Sequence, residues 1–371
     1  MKLTCIKIIS YTISLYEKLK KVKTGGIMKN LFIIGNGFDL AHNLKTSYLD
    51  FKKYVEKNDP QFFEDFYSLH MYSFEREYEN PLMTEPINDE YEGLWKNIES
   101  NMKDVNEDLI LDANLELGLE YNDPYSDDCF DTAYESLIPY IKGIPEKLLE
   151  NLQNWIETIE LNEISKKTKY INNCYTQNIY LTFNYTRVLE EVYEIDSSDI
   201  CHIHGKVGDE LVIGHLNQER SVKLNEEKNK EEDSFFEGLD PIDNEEEYQI
   251  AEEKFNYTKY HYNYKVEQLK YELLIEYYDK TVKIPQNHIR HNKYFFNQIS
   301  EVKNIYVVGH SLGDVDMPYF EEIFKRVGQN TKWNIFYYGE SEKEIFEKKI
   351  LEIGIDKKNL IIKHIGLFYM K

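Results

Sequence analysis

The feature that most constrains the fold is a set of short apolar runs, separated by long stretches of helical spacing. Leu31–Ile34 stops at Gly35-Asn36-Gly37, Ile179–Phe183 at Asn184, and Ile305–Val308 at Gly309. Trp333–Tyr338 and Leu360–Ile365 follow. Continuous rather than alternating apolarity suits strands buried on both faces, as in a parallel sheet covered by helices. Cys201–Gly205 and Leu211–Gly214 are expected to form a hairpin across Lys206–Glu210. Val188–Tyr193 reads as helical, and so does Glu342–Leu351, with Ser341 as its expected N-cap and Glu344 completing a capping box. The expected fold class is α/β, a mostly parallel Rossmann-like sheet with large helical insertions.

The insertions fall over about 46–164 and 221–300. In the first, Tyr48, Phe51, Tyr54 and Val55 keep helical spacing, as do Phe62, Phe63, Phe66 and Tyr67. In the second, residues 225–253 hold 13 acidic and 2 basic side chains, which reads as a solvated loop or exposed helix. Residues 1–27 place charge after an apolar stretch, the reverse of a signal peptide. They read as an extension ahead of Met28, the expected true start, or else as a short amphipathic helix. The core is expected over 28–371.

Charge and cysteine usage narrow the function classes. The 371 residues include 44 Lys and Arg against 67 Asp and Glu, a net charge of −23. An overall basic footprint for duplex nucleic acid is thus absent. No run approaches the roughly 18 apolar residues of a membrane span, so no membrane partner is expected. Cys5, Cys129, Cys174 and Cys201 are scattered without a Cys-x-x-Cys pair, which disfavours a zinc knuckle or a disulfide framework and fits a cytoplasmic setting.

In open α/β sheets ligands bind beyond the carboxyl ends of the strands, and four motifs fall there. Gly35-Asn36-Gly37-Phe38-Asp39 is a strand-to-helix turn in which glycines let backbone approach a phosphate; it is equally a plain tight turn. Leu40 stands where the dinucleotide fingerprint has its third glycine, so a standard dehydrogenase is disfavoured. Thr182-Phe183-Asn184 ends a strand with an amide able to hold a ribose hydroxyl or a water, or simply to cap a helix near Thr186. His202-Ile203-His204-Gly205 offers a general base in His204, with His202 fitting a core histidine better; no third ligand for zinc is near. Gly309-His310-Ser311-Leu312-Gly313 matches a nucleophile elbow, but His364 is the only later histidine and it lies inside an apolar run.

Taken in order, these motifs resemble the AbiH family of bacteriophage abortive-infection proteins. The resemblance rests on Ile33–His42 with Thr46-Ser47-Tyr48, on Leu181–Thr186, on His202–Gly205 and on Val308–Asp316. The same order is similar to the core of sirtuin-like proteins, which binds NAD and in bacterial defence branches commonly hydrolyses it. The resemblance implies that Asn184 and His204 are catalytic. It implies that Gly35, Asn36, Gly37, Phe38, Asp39, Thr182, Gly309, Ser311 and Asp316 line the nucleotide site. NAD is then a substrate, cleaved to nicotinamide and ADP-ribose, with no metal expected. The zinc ribbon of deacylating sirtuins is missing, and Asn36 and Phe38 replace small residues. Expected partners are NAD or a related nucleotide, an unknown trigger, and further copies of the chain. A nucleotide sensor without turnover, or a nuclease or serine hydrolase, stay open as alternatives.

Overall fold

A computed structural model describes residues 29–78, 89–111, 141–172, 176–258 and 262–370. Residues 1–27 and Met28 lie outside the described residues, as do Cys5, Cys129 and Cys174. The chain divides into two units: 1–45, 159–210 and 285–371 form one, and 46–158 with 211–284 the other.

The first unit is built on six parallel strands: β1 (Lys29–Ile34), β2 (Gln177–Thr182), β3 (Ile200–His202), β4 (Asn304–Val308), β5 (Lys332–Tyr337) and β6 (Leu360–His364). Their order is β3-β2-β1-β4-β5-β6, so the chain reverses its direction of travel across the sheet between β1 and β4. Both faces are apolar, and the period-two alternation of each strand separates them. Leu31, Ile33, Ile179, Leu181, Ile305, Val307, Trp333 and Ile335 point to one side, against Phe320, Ile323, Phe346 and Ile350. Phe32, Ile34, Tyr180, Val308 and Phe336 point to the other, against Val188, Leu189, Val192 and Phe368. Register is pinned at the amino ends by asparagines. Asn30 Nδ2 donates to Asn178 Oδ1 at 3.0 Å, and Asn304 Nδ2 donates to Asn30 Oδ1 at 3.0 Å. A one-residue slip would break both bonds and exchange the two faces.

The hairpin expectation is corrected. Ile200–His202 pairs in parallel with Tyr180–Thr182, while Leu211–Gly214 forms no strand. Gly205 and Gly208, at φ 78° and 86°, turn the chain away after β3, and Val207 N–H donates to Tyr185 O at 2.9 Å. The edge of β2 therefore takes the run that local spacing assigns to a neighbour. The capping box on Ser341 is corrected as well. The helix runs from Glu340 to Glu352, and Glu342 accepts from the N–H groups of Tyr338 and Gly339 at 2.8 and 3.3 Å.

The described residues of the second unit are helical apart from turns and one parallel bridge between His215 and Val282. Ser47 caps the helix Tyr48–Asn58 through a reciprocal box with Asp50. Phe51, Phe62, Phe66, Trp95 and Trp155 form an aromatic core. Buried Lys283 pairs with Glu99 at 2.8 Å, and Glu99 also accepts from Tyr48 Oη at 2.5 Å. His70 meets Tyr277 at 3.1 Å, Tyr278 reaches Glu107 at 2.8 Å, and Arg220 clasps Glu107. The two insertions thus close on each other. The acidic stretch lies on the helices Glu219–Phe236 and Glu245–Thr258 and is largely exposed. The helices Pro285–His291 and Lys293–Gln298, inside the expected second insertion, belong to the sheet-bearing unit.

Two loops meet where β1 and β4 end. A Cβ on Gly35 would lie 2.5 Å from His310 Cα, and one on Gly37 would lie 2.8 Å from Gly309 Cα. Gly309, at φ 65°, faces back, and its Cβ would stand 2.2 Å from Phe38 N. Gly309→Ala is expected to destabilise the protein by about 3 kcal/mol through overpacking and left-handed strain. A urea unfolding midpoint that does not fall would refute this contact.

Candidate functional site

The carboxyl ends of β1, β2, β3 and β4 carry Asp39, Asn184, His204, His310 and Asp316, all in the sheet-bearing unit and all nearly buried. Each is carried just past its strand. Asn184 stands two residues beyond β2, and its N–H donates to Thr182 Oγ1 at 3.1 Å, so Thr182 shapes the turn that presents it. The side chain of Asn184 is 6% exposed, and neither Nδ2 nor Oδ1 has a hydrogen-bond partner. It caps no helix: the π-helical turn Val188–Val192 begins after Arg187 without a side-chain cap.

Asp39 is 1% exposed. Its Oδ2 accepts from Thr186 Oγ1 at 2.6 Å, while Oδ1 is buried with no partner. Burial pushes the Asp39 carboxyl up to about 6, against the opposing pull of the Thr186 hydroxyl, the Asn184 amide and the His202 charge. Orphaned buried polar atoms on two neighbouring side chains carry a desolvation cost that folding alone does not reward.

Asp316 lies between two imidazoles. His204 Nε2 is 3.5 Å from Oδ1 and His310 Nε2 is 3.5 Å from Oδ2, both longer than a formed hydrogen bond. The Phe183 ring packs against both histidines, with centroids 5.1 Å from His204 and 4.4 Å from His310. Leu312 N–H donates to His310 Nδ1 at 2.9 Å, so a neutral His310 carries its proton on Nε2, toward Asp316. Leu312 itself adopts φ 54°, and Lys349 Nζ holds its carbonyl at 2.8 Å.

The glycine turn is occupied by its own fold. Gly35 N–H donates to Val308 O at 3.0 Å, Gly37 N–H to Gly309 O at 2.7 Å, and Phe38 N–H to Gly35 O at 2.9 Å. These three amides do not point at open space, and the glycines are required by loop contact. Phe38 is wholly buried among His42, Tyr193 and Tyr369. Asn36 is exposed at the tip of the turn.

Ser311 is exposed. Both ring nitrogens of His310 face other groups, and His364 sits on β6, beyond β5, accepting from Gly366 N–H at 3.0 Å. Neither His310 nor His364 is delivered to Ser311 as a triad base.

His202 is more than core packing. Its Nδ1 lies 3.2 Å from Asn184 O and its Nε2 lies 3.0 Å from Glu190 Oε1, so the ring bridges the turn after β2 and the π-helical turn. Burial pushes the Glu190 carboxyl up, but His202 and Lys206 outweigh it and hold the group down at about 2. Spacing assigns His202 to the core and gives His310 and Thr186 no role. The only signal for His310 is its place directly after Gly309 at a strand end. Cys201 is buried, and burial pushes its thiol up to about 12, so it is not a reactive nucleophile. Among the described residues, no cluster of three or more His, Cys, Asp or Glu could hold a metal ion.

The family model described as Bacteriophage abortive infection AbiH matches residues 31–337. The chain belongs to the AbiH family. The matched span of this AbiH protein runs from β1 through β5 and carries every site residue above. No curated protein and no solved structure matches the chain. Among the described residues, no helix is long and apolar enough to cross a membrane.

The raised Asp39 carboxyl has a consequence for stability. Folding disfavours its charge, so the penalty is absent below the unfolded value near 3.8, grows through pH 4–6 and is complete above about 6. Asp39→Asn, which can still accept from Thr186, is expected to stabilise the protein at pH 8 by up to about 3 kcal/mol. The gain should shrink to nothing near pH 4. Equal unfolding free energies for the two proteins at pH 8 would contradict the buried charge.

Proposed function

We propose that this AbiH protein is an abortive-infection effector that hydrolyses NAD to nicotinamide and ADP-ribose at the carboxyl ends of β1–β4. The observation that carries the reading is the unpartnered, buried amide of Asn184, which shares with the His204–Asp316 pair the carboxyl end of a parallel sheet that reverses between β1 and β4. Ligands of such sheets sit at that point.

Breaking the nicotinamide–ribose bond builds positive charge on the sugar, as in other glycoside cleavages. Water adds to the anomeric carbon, neutral nicotinamide leaves with the bonding electron pair, and the water's proton must be taken up. Asn184 holds the water or a ribose hydroxyl, His204 takes the proton, and Asp316 steadies the imidazolium that results. No general acid is needed for a neutral leaving group. Because the amides of the glycine turn are engaged internally, the charge of the diphosphate falls to side chains at the same strand ends. Arg187 and Lys206 are the cations that follow β2 and β3. The Nε of Arg187 is buried without a partner. Ser311 is assigned no nucleophilic role.

Total NAD in phage-challenged cells tests the reading. Wild-type protein should deplete it. His204→Ala and Asn184→Ala should lower turnover by about a hundredfold or more, in the range expected for lost proton transfer and water positioning. Ser311→Ala should still deplete NAD. Protection from phage with NAD unchanged would reject NAD hydrolysis.

A further inference from the structure

We infer that Asp39 is a positioning residue whose protonation selects which end of the Asn184 amide is presented to the ligand. The inference rests on the proposed role of Asn184, and it starts from the three orphaned atoms: Asp39 Oδ1, Asn184 Nδ2 and Asn184 Oδ1. All are buried, and they belong to side chains near enough for the amide to favour the ionised carboxyl. Apart from its attraction to the Asp39 carboxylate, no hydrogen bond pins either end of the amide, so its facing is decided by what Asp39 offers.

An ionised carboxylate only accepts, whereas a protonated carboxyl also donates. Ionised Asp39 therefore draws the Nδ2 end of Asn184 and leaves the carbonyl Oδ1 for the ligand side. Protonated Asp39 draws Oδ1 and leaves Nδ2. The carbonyl end accepts a hydrogen from water and turns the water's lone pairs toward an electrophile; the amino end turns a hydrogen that way. Only the ionised form of Asp39 thus suits attack by water. Thr186 supports that form by donating to Oδ2 at 2.6 Å, and it leaves Oδ1 as the oxygen that addresses Asn184.

The neighbours of Asp39 are few. Thr186 and Asn184 come from the turn after β2, and His202 acts on it from β3 by charge. Tyr369, from the carboxyl-terminal segment, feels the Asp39 charge and is itself raised, mainly by burial. His42 lies one turn along, with Nδ1 2.7 Å from Phe38 O and Nε2 2.8 Å from Tyr193 Oη, facing other groups. Asp39 is pushed up to about 6, which puts the exchange in an accessible range.

The side-chain amide signal of Asn184, in the full chain labelled with ¹⁵N-asparagine, reads the exchange without any turnover. It is assigned as the resonance missing from Asn184→Ala. It should shift between pH 4.5 and 8 with a midpoint near 6. Asp39→Asn should abolish that shift. Thr186→Val, which removes a bond favouring the charged form, should move the midpoint upward in pH. His204→Ala should retain the titration while losing NAD turnover, so failure of the hydrolysis reading and failure of this inference give different results. An Asn184 signal indifferent to pH in wild type, or one that titrates unchanged in Asp39→Asn, overturns the assignment.

Discussion

The arrangement at the carboxyl end of the sheet depends on the backbone contact between the turn after β1 and the loop after β4. Gly35 and Gly37 lie so close to Gly309 and His310 that no side chain fits between them. That closeness joins the two central strands at the point where the chain reverses its direction across the sheet. It also sets the spacing of the functional groups, because Asp39 follows one loop while His310 and Asp316 follow the other. The three amide bonds spent on this junction are unavailable to a ligand. Under the proposed reading, recognition is left to side chains.

Those side chains are arranged against the ordinary rules of burial. A carboxyl group sits nearly dry with one oxygen unpaired, and an amide beside it has no partner at either end. Asp316 holds two histidines at a distance too long for firm hydrogen bonds. Apolar packing around Phe183, Tyr319 and Phe320 keeps this cluster in place. Stability lost to desolvation is the natural accompaniment of groups held ready for a ligand. The helical unit shows the opposite policy: its buried Lys283 and Glu99 are paired, and Glu99 takes a further bond from Tyr48.

Much of this was legible in the sequence because it is local. Continuous apolar runs such as Leu31–Ile34 can only be strands covered on both faces, and glycine, asparagine and histidine at their ends mark where polar groups emerge. That Asn184, His204 and Asp316 all fall at the carboxyl end of the sheet follows from a parallel sheet alone. Local spacing misplaced Leu211–Gly214, since pairing of an edge strand depends on which partner is free, not on which is nearest in the chain. It was silent on His310 and Thr186, whose importance lies only in what they touch.

The sequence by itself determined the α/β class, the strand ends where polar groups emerge, the exposed acidic stretch and the family. Each is a matter of period, punctuation or residue order within a short window. Tertiary structure alone decided that two insertions separated by the strands β2 and β3 close into one helical unit. It decided that the glycine turn serves a loop junction. It decided that Asp39 is buried deeply enough to hold its proton near pH 6. These depend on contacts between residues far apart in the chain, and on how completely water is removed from them, neither of which a local pattern encodes.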